Sequence, residues 1–264
     1  MTAHLKWPPE TGEINLIPQE NGSIWLAGPE GNITLDRNSA ESTACRLLAL
    51  VREQDEQTDP AAARFRWTTP SHPYWIQTHS GVAFDLLDPR VRSVRLDDLA
   101  VALSRVNRFV GHTMQPYSVA RHSLLVAQLL REKGHDSPVI LQGLLHDATE
   151  AYLCDLPSPL KTLLPEYRRI EARLWSVISD RFGMSETLHP AVKEADGVAL
   201  RAEAWNLMLS PPVDGWAGEP PVLSDIAEAI MLRHDEPNTT REEWSTEVRR
   251  NLSETIASGW PVLR

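Results

Sequence analysis

Leu141-Gln142-Gly143-Leu144-Leu145-His146-Asp147-Ala148-Thr149-Glu150-Ala151-Tyr152-Leu153-Cys154-Asp155-Leu156-Pro157-Ser158-Pro159-Leu160-Lys161 decides how the chain is read. Apolar residues recur at Leu141, Leu144, Leu145, Ala148, Ala151 and Tyr152, the spacing of one buried helix face. Pro157 and Pro159 end that helix. His146 and Asp147 stand together in this apolar setting, where ionisable groups are costly unless they are paired or bind a metal. As neighbours they diverge by about 100° around the axis, yet both can converge on one ion over the helix edge. Glu150, four residues after His146 and three after Asp147, lies one turn further along the same side. Two ligand-type groups with a carboxylate one turn away is an arrangement suited to metal-assisted hydrolysis: the ion polarises a phosphoryl oxygen and holds a water, and the carboxylate moves protons. A helix with ordinary solvated charges is the competing account of this pair taken alone.

Moving upstream, Ser118 is a good N-cap and Gly134 a good stop for a helix that carries His122 in a stripe formed by Val119, Leu125, Val126 and Leu129. A lone histidine there is more often a satisfied core residue than a ligand; the His146-Asp147 pair on the following helix changes those odds. Asn107-Arg108-Phe109-Val110-Gly111 breaks a helix expected over Leu96 to Val106. Arg108 there suits a phosphate and Phe109 a sugar or base, though an ordinary surface arginine and core phenylalanine is the stronger reading of these two residues taken alone. Trp75 to Asp85 reads as a short hairpin turning at Ser80-Gly81, with His79 a turn residue.

Downstream, Pro165 to Gly183 and Pro190 to Met208 read as amphipathic helices, the second carrying Lys193-Glu194-Ala195-Asp196 at the border of its apolar stripe. Asp196 is either a further ligand or a surface charge. Ser210-Pro211-Pro212 and Gly218-Glu219-Pro220-Pro221 read as a rigid loop. Helices follow over Ser224 to Arg233 and Thr240 to Ser258, docked by Trp244 and Trp260.

Residues 1–70 form a separate piece: a three-stranded meander over residues 13 to 36, a helix over Ser39 to Gln54, then a polar linker over residues 53 to 63. No catalytic constellation occurs in it, and a structural or oligomerisation role is expected. Residues 71–264 hold every candidate ligand. At 264 residues and 42% hydrophobic content the chain can bury a sizeable core, and it lacks an apolar run of membrane-spanning length. Its start lacks the apolar run of a signal peptide, and its two cysteines make no disulfide framework, so a cytoplasmic protein is expected. The net charge of −10 argues against stable nucleic-acid binding. It leaves room for a small anionic substrate beside a bound cation.

Taken in order, these residues resemble the HD-domain metal-dependent phosphohydrolases, over about residues 75 to 210. The subgroup of bacterial 5′-deoxynucleotidases and phage dATP triphosphohydrolases carries Glu-His-Ser, His-Asp-Ala-Ser-Glu, Gly-Asp-Leu-Pro-Thr-Pro and Lys-Gln-Ala-Asp. Here the corresponding residues are Arg121-His122-Ser123, His146-Asp147-Ala148-Thr149-Glu150, Cys154-Asp155-Leu156-Pro157-Ser158-Pro159 and Lys193-Glu194-Ala195-Asp196. An Asn-Arg-Trp of the family stands here as Asn107-Arg108-Phe109. The resemblance implies a mainly α fold: an HD-domain helical bundle, preceded here by the β-rich appendage and the short hairpin. It implies that His122, His146, Asp147 and Asp196 bind one divalent cation, that Glu150 is the acid/base residue beside Asp147, and that Arg108, Phe109 and Asp155 face a nucleotide. Lys161 is a candidate for holding phosphate, against the commoner reading of a solvated basic face. A mixed nitrogen and oxygen donor set suits manganese, cobalt, iron, nickel or zinc.

The implied activity is removal of phosphate from a deoxynucleoside monophosphate or of triphosphate from a deoxynucleoside triphosphate, by a protein expected to self-associate as a dimer or higher oligomer. An HD hydrolase of another phosphate ester, such as an alarmone or cyclic nucleotide, and a non-catalytic nucleotide sensor are the alternatives. Alarmone hydrolases usually carry a further Glu-Asp pair after the His-Asp helix, which Glu150-Ala151 does not supply. A sensor would have lost Glu150 or a ligand, and neither is lost. Two departures stand out: phenylalanine replaces tryptophan at 109, and Arg121 replaces an acidic residue beside His122, which bears on local charge.

Overall fold

The structure is a computed structural model; it describes residues 70–209, 218–234 and 236–258, together with four strands nearer the N-terminus. The chain divides into two units, Met1–Pro60 and Ala61–Arg264. In the first, β1 (Ala3–Leu5), β2 (Ile14–Pro18), β3 (Ile24–Gly28) and β4 (Gly31–Leu35) form an antiparallel meander in that order. Leu16 pairs with Ala3 on one side and Leu26 on the other. The strands from β2 to β4 follow the alternation in the sequence. β1 is an addition, because three residues are too few for alternation to register. The helix expected at 39–54 and the linker at 53–63 lie outside the described residues, as do Ser210-Pro211-Pro212 and Trp260.

The second unit is mainly helical. It begins with a hairpin of β5 (Trp75–Gln77) and β6 (Ala83–Asp85), closed through Gly81 at φ 83°. Asp98 holds that turn by accepting the Ser80 amide at 2.6 Å and its hydroxyl at 2.8 Å. The helices follow as α1 (Leu96–Leu103), α2 (Val119–Glu132), α3 (Ser137–Leu145), α4 (Glu150–Leu153), α5 (Ser158–Lys161), α6 (Pro165–Phe182), α7 (Pro190–Leu207), α8 (Asp225–Leu232) and α9 (Pro237–Ala257). Their ends follow local chemistry. The Ser118 hydroxyl accepts the Arg121 amide at the start of α2, Ser224 caps α8 in the same way, and Gly183 ends α6 in the left-handed conformation.

The core lies where α2 and α3 pack together, with α7 and α9 across them. Leu125, Leu130, Leu141, Leu144, Leu145 and Trp244 are fully buried there. Gly143 explains the close approach of α2 to α3, because a Cβ at that position would collide with the Leu130 side chain. Trp244 of α9 donates its indole N–H to the Leu144 carbonyl at 3.1 Å. No helix among the described residues is long and apolar enough to cross a membrane.

Two elements differ from the sequence expectation. α1 stops at Leu103, and Val106 belongs to a turn that feeds the bridge between Asn107 and Ser118. The central stretch is not one continuous helix: α3 ends at Leu145, and residues 146–149 form tight turns before α4. Backbone bonds from Ala148 to Leu145 and from Glu150 to Asp147 span three residues, where an α-helix would span four. Apolar periodicity does not distinguish these two windings over so few residues.

Candidate metal centre

The centre is built on the α3–α4 junction, with α2 on one side and α7 on the other. His146 and Asp147 occupy the tightened turn, and the ring nitrogens of His122 and His146 with a carboxylate oxygen of Asp147 lie within 4.8 Å of one another. His122 Nε2 is 3.3 Å from His146 Nε2, 3.5 Å from Asp147 Oδ2 and 3.2 Å from Asp196 Oδ1. His146 Nε2 is 3.2 Å from Asp147 Oδ2 and 3.9 Å from Asp196 Oδ1. The structure therefore groups His122, His146 and Asp147, with Asp196 at the edge of the group beside His122.

Each imidazole is oriented by its other nitrogen. His146 Nδ1 lies 2.8 Å from the Gly143 carbonyl, so Nδ1 carries the proton and Nε2 faces the cluster. His122 Nδ1 lies 2.6 Å from Glu203 Oε1, with the same consequence. Burial and Arg108 pull the His122 pKa down, but Glu203 and Asp196 outweigh them and raise it to about 10. Burial pulls His146 down as well, and Asp147 more than offsets this. Burial raises the Asp147 carboxyl, yet His146, His122 and Arg108 together hold it far below the ordinary carboxylate range. In the metal-free protein the two imidazoles are thus proton-hungry and the carboxylate is anionic, so a bound cation would stand where protons otherwise sit.

These donors fit a small divalent ion. Ligands about 2.1 Å from one ion stand about 3.0 Å apart at right angles and about 3.4 Å apart in a tetrahedron. Most of the separations above fall near that span. Glu150 adds a second indication. It is 4% exposed, its Oε2 is buried without a hydrogen-bond partner, and its Oε1 meets Lys161 Nζ at 3.4 Å. Burial and the neighbouring Asp147 and Asp155 push its pKa well up, against Lys161 and Arg108. A carboxyl so placed holds its proton more tightly than a solvated one, the property of a group that can donate it to a leaving oxygen.

Arg108 lies at the rim of the cluster. Its Nη1 is 3.3 Å from Asp147 Oδ2, and its Nε donates to Glu203 Oε2 at 3.2 Å. Its guanidinium stands 5.5 Å from the Phe109 ring centroid. Phe109 and Val110 are both left-handed, at φ 55° and 54°, in a conformation costly for any L-residue and most of all for β-branched valine. The turn is held by Arg108 N–H donating to the Tyr117 carbonyl at 2.8 Å. Asp155 is half-buried, and burial raises its carboxyl pKa against Arg108. Lys161 is shared between Glu150 and Glu171, the latter at 2.8 Å. Arg121 points away from the centre: it is 2% exposed and bonds to Glu243 and Thr240 of α9, each at 2.9 Å. Arg121 thereby ties α2 to α9.

Cys154 departs from ordinary backbone, at φ 65° and ψ 160°, a region open essentially to glycine alone. Its carbonyl accepts the Tyr167 hydroxyl at 3.1 Å, which helps to hold the turn into Asp155. Replacing this exposed cysteine by glycine should relieve strain. Set against the entropy that glycine costs, a net gain of about 1 kcal/mol is expected, or roughly 2–4 °C in Tm for a unit of this size. A calorimetric Tm equal to or below the parent's would rule out the strain.

Glu203 and Tyr117 escaped sequence analysis. Glu203 is fully buried and accepts the Tyr117 hydroxyl at 3.0 Å as well as His122 and Arg108. The available signal was its place seven residues after Asp196, two turns along the same face of α7, among the small residues Ala199, Ala202 and Ala204.

No known family profile matches the chain. It is 38% identical to an uncharacterized Escherichia coli protein, YfdR, over 160 residues, which are 60% of this chain and 83% of YfdR. It is 37% identical to an uncharacterized protein of Rhodobacter capsulatus over 139 residues, 49% of this chain and 71% of the relative.

Proposed function

The chain belongs to the family of YfdR, and we propose that this member is an HD-domain, metal-dependent phosphohydrolase acting on nucleotides. One observation carries the proposal: two oriented imidazoles and two carboxylates converge beside a buried carboxylate with an unpartnered oxygen. His122, His146, Asp147 and Asp196 would hold the cation. A bound divalent ion supplies charge against a phosphoryl oxygen and makes water a better nucleophile at neutral pH.

The chain's own residues do the rest. Arg108, kept charged by Glu203 and Asp147 against its burial, meets a phosphate oxygen. Glu150 takes a proton from the attacking water and returns it to the oxygen that leaves phosphorus. Lys161, bonded to Glu150 and Glu171, keeps the Glu150 side chain in place. Asp155, half-buried beside Arg108, faces the same side of the site, and the choice between a monophosphate and a triphosphate is left to the substrate screen. The proposal includes a cytoplasmic protein that self-associates. A screen of nucleoside mono-, di- and triphosphates with added Mn²⁺ or Co²⁺, scored for released phosphate and pyrophosphate, tests it. No release from any of them would refute hydrolysis.

Deoxynucleotides should be preferred. Phe109 follows Arg108 directly, so its ring is placed to pack on the sugar of a phosphate-anchored substrate. An apolar ring against C2′ offers a 2′-hydroxyl no partner. An unpaired hydroxyl costs about 1–3 kcal/mol, roughly tenfold to a hundredfold in kcat/KM. Equal values for dAMP and AMP would sink the preference. If it survives Phe109→Ala unchanged, its cause lies elsewhere.

A further inference from the structure

We propose that Glu203 is a positioning residue that holds the metal-side histidine and the phosphate-side arginine as one unit, so that cation and anion binding weaken together when its charge is lost. The proposal rests on the cation-and-phosphate reading of the centre, though not on turnover. Glu203 is 0% exposed, and its two oxygens are divided between the two halves of the site. Oε1 takes His122 Nδ1 at 2.6 Å and the Tyr117 hydroxyl at 3.0 Å; Oε2 takes Arg108 Nε at 3.2 Å. It cannot itself be a ligand, because it lies on the Nδ1 side of His122 while Nε2 faces the cluster.

Its contribution is orientation and basicity. A carboxylate on the far nitrogen fixes the tautomer of a ligating histidine and makes its other nitrogen a stronger donor. The same carboxylate aligns the guanidinium so that Nη1 reaches Asp147. α7 supplies Asp196 at the cluster and Glu203 behind it, two turns apart, so one rigid helix sets both distances. A buried ion pair gives little stability over apolar packing of the same volume. Arg108, Tyr117 and His122 converge on Glu203 from outside α7, which suits alignment of the site.

The experiment uses the full chain with Co²⁺ as the metal probe and inorganic phosphate as the anion probe. Glu203→Gln, nearly isosteric, should weaken Co²⁺ binding about 10- to 100-fold by calorimetry and shift the visible d–d bands of the bound cobalt. It should also weaken phosphate binding to the cobalt-loaded protein as much as Arg108→Ala does. The double variant should be no weaker toward phosphate than Arg108→Ala alone, since both changes remove one aligned guanidinium. A folded Glu203→Gln protein with the parent's Co²⁺ affinity and spectrum, or fully additive losses in the double variant, overturns the proposal. Should Glu203→Gln fail to fold, Tyr117→Phe decides. Removing one of the three donors should loosen Glu203, shift the cobalt spectrum and weaken Co²⁺ binding severalfold, and an unchanged spectrum and affinity overturns the proposal. A parent that binds Co²⁺ and phosphate but hydrolyses no nucleotide overturns the hydrolase reading and leaves this one standing. A parent that binds no Co²⁺ overturns both.

Discussion

Asp147→Ala is expected to abolish cation binding and activity together. Asp147 Oδ2 is the oxygen shared by the cluster, 3.2 Å from His146 Nε2, 3.5 Å from His122 Nε2 and 3.3 Å from Arg108 Nη1. Its loss leaves two imidazoles and Asp196, a set with one anion fewer to offset a divalent charge. In the parent, cation at about 100 times its Kd should stabilise the fold by about 2.7 kcal/mol, roughly 5–10 °C in Tm. The variant should show no such rise, and a melt with and without Mn²⁺ measures it. A variant that keeps the full rise would remove Asp147 from the ligand set. The pH dependence of the metal-free protein should change as well. Burial raises the Asp147 carboxyl, but His146, His122 and Arg108 hold it far below its ordinary value. Such a group contributes stability above the ordinary carboxylate pKa, and that contribution is lost as pH falls through the depressed value. The alanine variant should lack this acid-side loss.

Glu150→Gln is expected to keep the cation and lose roughly 10²- to 10⁴-fold in kcat, the contribution of a positioned proton-transfer group. Its stability should move in the opposite sense to that of Asp147→Ala. Burial, Asp147 and Asp155 raise the Glu150 pKa in the folded protein. Ionising such a group costs stability as pH rises above the ordinary carboxylate value, until the raised value is passed. Glutamine removes that cost, so the metal-free variant should melt above the parent, by a margin that widens with pH across that window. A variant as active as the parent would sink the role given to Glu150. A margin that shrinks with rising pH would contradict the raised pKa.

Ends that rest on a local device were legible, as with Ser118 as a cap, Gly183 as a left-handed stop, and Pro165 and Pro190 at first turns; the ends of α1 and of the central stretch, which have no such device, were not. The mainly helical class follows from these and from the apolar stripes. His122, His146, Asp147 and Asp196 were legible as ionisable groups set in or beside apolar stripes. The tightened turn at residues 146–149 was not, since a change from four-residue to three-residue bonds leaves no mark on apolar spacing. The direction of Arg121 was not either. A charged residue beside a ligand suggests a charge at the site, and only the packing of α9 turns it toward Glu243. Glu203 stayed hidden because a carboxylate on a mixed helix looks like a solvated one until its three donors are known. They come from sequence positions 81 to 95 residues away.

The packing of α9 over α3 also sets an order of assembly. Trp244 seals Leu144, the residue two before His146, across 100 positions of sequence. Glu243 and Thr240 grip Arg121, the residue before His122, across about as many. Both histidine-bearing elements therefore wait for a segment that the ribosome makes after them. Until α9 emerges, the nascent chain exposes the apolar faces of α2 and α3, the kind of surface that draws chaperones. Contacts of such long sequence separation close late and slow the final step of folding. The placing of both histidines thus depends on contacts that reach across 100 to 122 positions of sequence.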